Sequence, residues 1–306
     1  MRAAWPELPY ASWQDTCTTL HLWTQIVGKL RLARTPWLNH SWHVPLYVSA
    51  RGLATSRIDH GSRAFDAEFD FVEHALVLRT SDGGARRIDL RPHSVADFYA
   101  EVMAALEALG VPVRIDRMPS EIAGALPFHG DRTHAAYDAE YAQRFWRILV
   151  LVERVLARFR TGFLGKSSPV HFFWGSFDLA ATRFSGRRAP RHPGGAPNCP
   201  DYVMVEAYSH ECSSCGFWPG GGAIDEPAFY SYAYPRPQGY ERQPVLPAGA
   251  RYSEQWGEFI VPYAAIRGAS DPEEALMQFF QSTYDATADL GHWDRAALER
   301  PTGESP

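Results

Sequence analysis

The chain has 306 residues, a formal charge of −5, 45% hydrophobic residues and 21% charged residues. That length suits two domains or one large one, the composition excludes a disordered chain, and the acidic balance argues against a general nucleic-acid binder. No apolar run approaches the roughly 18–20 residues that cross a bilayer. Residues 1–10 lack a signal-peptide pattern, and four cysteines are too few for a disulfide scaffold, so a cytoplasmic protein without membrane partners is expected.

Residues 13–34 are predicted as a helix. Trp13, Cys17, Leu20, Trp23, Val27 and Leu30 recur at spacings of three and four and form an apolar stripe. Thr18, His21, Gln25 and Lys29 form a second, polar stripe. Residues 44–50 and 65–71 read as strands, and 74–79 and 86–90 as a hairpin around Asp82-Gly83-Gly84. Ser94 caps the next helix, with Asp97 at its third position, and Gly110 stops it.

A long helix is predicted over 133–163, with Tyr137, Phe145, Leu149, Val152 and Phe159 on one side. Strands follow at 170–180, 202–211, 229–234 and 258–263. Asp271-Pro272-Glu273-Glu274 starts a last helix with a cap, a proline at the first position and acids in the first turn. Residues 187–200 and 235–249 are rich in Pro and Gly and read as long loops. The tail after Arg295 is expected to be mobile.

The fold class is therefore α+β, with two similar halves of helix, antiparallel strands and helix. An N-terminal half over 1–130 and a C-terminal half over 131–306 are expected, the latter carrying the pocket. Three local matches point to an internal duplication: Gly28-Lys29 with Gly165-Lys166, Leu53 to Arg57 with Leu179 to Arg183, and Gly83-Gly84 with Gly220-Gly221.

The candidate site residues cluster in the second half. On a strand over 202–211, Glu206, Tyr208 and His210 would share one face, as a proton-transfer step or a polar ligand would need. The competing reading is a buried strip of mutually bonded polar groups. Trp218 and the Gly220-Gly221-Gly222 run would let a loop approach a ligand. On a strand over 170–180, Trp174, Ser176 and Asp178 would share one face and His171 the other. Tyr230 and Tyr232 offer a stacking wall, and Arg183 opens a basic run able to hold an anion. Lys29 and Lys166, the only lysines, are expected at the ends of the long helices. There they either complement the helix dipole or make related anion contacts.

Several signatures fail. Gly165-Lys166-Ser167 imitates the end of a phosphate-binding loop, but Arg160 stands where the earlier glycine belongs. There is no nucleophile elbow and no dinucleotide fingerprint, so no cofactor is expected. Cys212 and Cys215 have the spacing of a zinc knuckle, which Cys199 and His210 could complete. No second ligand pair exists, and no metal is expected.

Five blocks resemble a bacterial family of uncharacterised proteins known only as a domain of unknown function. They are residues 5–9 (WPELP), 20–29 (LHLWTQIVGK), 168–178 (SPVHFFWGSFD), 206–211 (EAYSHE) and 228–235 (AFYSYAYP). The resemblance is near full length and implies membership, without an activity. In that family's pattern small or apolar residues stand where this chain has Cys212 and Cys215, which weakens a role for them.

Ten Trp, 14 Tyr and 17 Phe are a heavy aromatic load, suited to a ring-lined pocket. The expected function is binding of a small polar or aromatic molecule in such a pocket of the C-terminal half. The alternatives are a structural protein that pairs as a homodimer through aromatic surfaces, and a metal-dependent hydrolase using His171, His210 and carboxylates.

Overall fold

The computed structural model describes residues 5–221 and 224–301. Seven α-helices and two six-stranded antiparallel sheets stand among them, which is the α+β class read from the sequence.

The N-terminal half opens with α1 (Tyr10–Arg34). It continues through β1 (Tyr47–Val48), β2 (Gly52–Ala54), β3 (Ile58–His60), β4 (Arg63–Asp70), β5 (Ala75–Thr80) and β6 (Ala85–Asp89), and closes with α2 (Val95–Ala108). Its sheet runs β1-β2-β4-β5-β6, with β3 also on β4. Phe65, Ala67 and Phe69 alternate inward along β4 and fix its register. Trp23 of α1 stacks on Phe98 of α2 at 4.6 Å between centroids, and Phe98 stacks on Phe69 of β4 at 6.2 Å. This aromatic series joins helices to sheet, and truncating Phe98 to alanine would cost about 3–5 kcal/mol.

The C-terminal half contains α3 (Ala139–Thr161), β7 (His171–Phe173), β8 (Asp178–Arg188), α4 (Asp201–Ala207), β9 (His210–Trp218) and β10 (Ala228–Tyr234). It ends with β11 (Arg251–Ser253), β12 (Glu258–Pro262), α5 (Tyr263–Arg267), α6 (Pro272–Leu290) and α7 (Arg295–Leu298). Its sheet runs β11-β12-β10-β9-β8-β7. One face packs under α3 and α6 through Leu179, Phe217, Phe229 and Val261, all fully buried. Asp138 and Asp271 cap α3 and α6 by accepting from Tyr141 N and Glu274 N.

The halves meet edge to edge. Leu46, just before β1, and Phe172 of β7 exchange two backbone hydrogen bonds of 2.9 Å. One apolar core runs through both halves. Both run helix, antiparallel strands, helix, and the Leu53 and Leu179 segments both begin in the second strand of their sheet, but α4 interrupts only the second set of strands and the two strand orders differ. The other two matches fall on different places. Lys29 lies inside α1 whereas Lys166 lies beyond α3, and the two glycine pairs occupy turns at different steps of the two meanders.

Three expectations are corrected. Residues 170–180 are not one strand: they turn back at 174–177, where Phe177 takes a left-handed φ of 62° beside Gly175. Residues 202–211 are not one strand either. Pro200 at the N-cap and Asp201 in the first turn start α4, overriding the β-propensity of Tyr202, Val203 and Val205. Past Arg295 the chain forms α7, capped by Asp294, and the Leu298 carbonyl accepts from Leu164 N at 2.7 Å. Residues 302–306 and Gly222 lie outside the described residues.

Candidate functional site

A cavity of about 610 Å³ covers the second face of the C-terminal sheet. Strand alternation sends Asp178, Thr182 and Phe184 of β8 to this face, while Leu179 and Arg183 go to the other. Antiparallel register lines up Thr182, Ser214 and Tyr232 across three strands. Thr182 Oγ1 and Ser214 Oγ lie 2.9 Å apart. The Tyr232 hydroxyl lies 2.9 Å from that of Tyr208, which stands at the end of α4. At one end of the floor Asp178 accepts from Ser176 Oγ at 2.5 Å and from the Tyr230 hydroxyl. Trp174, Trp218 and Trp256 wall this end.

The N-terminal half closes the cavity from above, so the pocket is not confined to the C-terminal half. The polar stripe of α1 holds this cover in place through three residues one turn apart, of which Lys29 lines the cavity itself. His21 Nε2 donates to the Gly175 carbonyl at 2.9 Å. Gln25 accepts from Ser120 N at 2.7 Å and donates to Ser120 O at 2.9 Å. Lys29, with only 3% of its side chain exposed, reaches the cavity wall, where Asp116 lies 3.7 Å away. These contacts position Glu121, whose backbone is left-handed at φ 64°. Glu121 N donates to Pro197 O at 2.7 Å, and Asn198 Nδ2 donates to Ile122 O at 2.9 Å. The Pro/Gly-rich loop after β8 is thereby pinned to the same segment, and it carries Cys199 onto the wall.

Glu121 and Glu258 face the cavity. Neither side chain has a hydrogen-bond or ion-pair partner among the described residues. Gly175 makes room for Glu121, because a Cβ there would collide with its Oε1. Burial, reinforced by the nearby charge of Asp178, pushes both glutamates up to about 7. Burial also raises Asp178 itself, against the donors Ser176 and Tyr230. It raises the Cys199 thiol to about 11 and lowers the Lys29 ammonium, whose charge Asp116 supports. Cys199 is thus a protonated wall residue, not an activated nucleophile.

The sequence-predicted residues divide. Lys29, Trp174, Asp178, Tyr208, Trp218, Tyr230 and Tyr232 meet at the cavity. Lys166 sits at its margin, donating to Nε2 of the lining residue His40 at 2.6 Å, while His40 Nδ1 donates to Ala207 O at 2.9 Å. Lys29 is not at a helix end but inside α1. Glu206, Tyr208 and His210 do not share a strand face, because Glu206 lies in α4, Tyr208 ends it, and only His210 is on a strand. Glu206 accepts from Trp37 Nε1 at 2.6 Å, and His210 bonds Ser209 Oγ at 3.0 Å.

His171 is fully buried, ringed by Trp42, Tyr47 and Phe173, and does not meet His210. Arg183 lies under the sheet, its guanidinium 3.4 Å from the Phe159 ring centre and 4.3 Å from that of Tyr284. Arg57, in the segment matched to Arg183, pairs with Asp59. Cys212 and Cys215 stand on opposite faces of β9, Cys212 toward the cavity and Cys215 toward Ala181 O. Two side chains three apart on a continuous strand cannot form a knuckle. Among the described residues no group of three or more His, Cys, Asp or Glu is placed to hold a metal.

Glu121 and Glu258 were missed. Glu258 opens a predicted strand, and no motif distinguishes it. Glu121 lies in a segment without periodicity, and its role depends on contacts with α1 that are distant in sequence.

The chain belongs to the family of unknown function DUF5996, which matches residues 5–300. No curated protein and no solved structure matches it. No helix among the described residues is long and apolar enough to cross a membrane.

Proposed function

We propose that this is a cytoplasmic small-molecule-binding protein whose ligand, polar at one end and aromatic or apolar in its body, occupies the cavity between the two halves. One observation carries the reading. Three carboxyl groups, two without partners, converge on a space of about 610 Å³ walled by tryptophan and tyrosine rings. A purely structural polar strip would bond its own groups to one another, as Thr182 with Ser214 and Tyr208 with Tyr232 do, whereas Glu121 and Glu258 remain open to the cavity space. The size lies in the usual range for ligand pockets, about 300–1,000 Å³. Four exposed apolar residues, Leu32, Trp37, Tyr202 and Trp256, also line it.

The test is a fragment screen by ligand-observed NMR on the full chain, repeated on Ala180→Trp, which fills the floor. Fragments that bind the wild type and lose binding to the filled variant support the reading. Fragments that bind both equally, or none that binds, overturn it.

A further inference from the structure

We propose that the ligand is an organic cation, an amine or quaternary ammonium on an aromatic or apolar body, with its charged head held by Glu121, Asp178 and Glu258. This rests on the reading of the cavity as a ligand site and adds the charge of what enters it.

The lining carries four carboxyl groups, Asp116, Glu121, Asp178 and Glu258, against one ammonium, Lys29, and Lys29 lies with Asp116. No arginine lines the cavity among the described residues. An anionic head at the Asp178 end would therefore meet repulsion, because the remaining ammonium, Lys166, bonds His40 at the margin beside Phe184, six residues along β8 from Asp178. A neutral head would leave the acids crowded against one another. A cation answers them directly.

Three further observations agree. The Tyr230 hydroxyl and Ser176 already donate to Asp178, which holds its carboxyl in place while Glu121 and Glu258 stay unengaged. Trp174, Trp218 and Trp256 stand at this same end, and Trp218 and Trp256 lie 6.2 Å apart. Ring faces beside carboxylates are the surroundings in which an organic cation is bound best. Finally, Glu121 is held in a left-handed conformation by bonds from two other segments. A strained non-glycine residue with its carboxyl in a cavity is the pattern of a ligand contact fixed in advance.

The experiment is calorimetric titration of the full chain at pH 8 with three probes of one shape: tryptamine, tryptophol and indole-3-propionate. Tryptamine is expected to bind at least tenfold tighter than tryptophol, and the propionate weakest. Glu258→Gln and Glu121→Gln should each weaken tryptamine at least fivefold and leave tryptophol within twofold. Gly175→Ala is a second route to the same contact. Its new methyl displaces the free end of the Glu121 side chain rather than backbone, so the protein folds while tryptamine binding falls. Tryptophol or the propionate binding as tightly as tryptamine overturns the cation and leaves the cavity reading standing. So does tryptamine affinity unchanged in all three variants. Failure of all three probes to bind at millimolar concentration overturns the cation proposal, and the fragment screen decides the cavity reading separately.

Discussion

Gln25 and Ser120 close a two-bond ring: Ser120 N donates to Gln25 Oε1 at 2.7 Å, and Gln25 Nε2 donates to Ser120 O at 2.9 Å. Both residues are buried. A side-chain amide thus takes the place of a neighbouring strand and ties the segment bearing Glu121 to α1.

Gln25→Leu keeps the volume and removes both bonds. The Ser120 backbone groups are then buried without partners, and stability should fall by about 1–3 kcal/mol in urea unfolding. Hydrogen exchange at residues 116–122 should accelerate more than exchange in α1. Uniform acceleration along the chain would mean that Gln25 serves the core as a whole.

Glu121→Gly should stabilise the protein by about 1 kcal/mol, because glycine accepts φ 64° without the strain a side chain suffers there. Binding of tryptamine should be lost in the same variant. Denaturation and titration of one sample check both. A less stable Glu121→Gly would show that the carboxyl holds the fold together.

Arg183→Met tests the correction to the basic run. The guanidinium is packed between rings and its Nε has no partner. Replacing such a buried charge by an apolar side chain of similar length is often neutral or stabilising, so a change within about 1 kcal/mol, or a gain, is expected. Probe binding should be unchanged, and a tenfold loss would place Arg183 in the site after all.

The acids also set a pH dependence. Folded, Glu121 and Glu258 stand near about 7, against about 4.3 in an unfolded chain. Between those values the folded state keeps protons that the unfolded chain has released. Their contribution is therefore full below pH 4 and is lost as the pH rises through 7. Buried His21 and His171, lowered to about 4 and about 3 by desolvation, act oppositely and lose theirs as the pH falls below 6.5. A Glu121→Gln, Glu258→Gln double variant isolates the acids. Its Tm advantage over the wild type should grow from pH 5 to pH 8, and a constant difference would contradict the shift.

Elements with strong local signals were legible in the sequence. The Ser94 and Asp271 caps, the β4 alternation and the Asp82-Gly83-Gly84 turn all appear where spacing put them. The polar stripe of α1 was visible too: Lys29 lines the cavity, and His21 and Gln25 bond the Gly175 and Ser120 segments that line it. The face assignment at Glu206, Tyr208 and His210 failed because Pro200 and Asp201 start a helix of seven residues in β-prone sequence. Tyr208 still reached the cavity, through α4 instead of a strand. Glu121 was illegible because its place depends on Gln25, Gly175 and Pro197, none of them near it in sequence.

The most direct measurement is a crystal structure of the full chain with tryptamine. The account predicts the indole against Trp174, Trp218 or Trp256 and the ammonium within hydrogen-bond distance of at least two of Glu121, Asp178 and Glu258. Tryptamine bound with its ammonium directed to the exposed Trp37 and Tyr202, or bound outside the cavity, would contradict it.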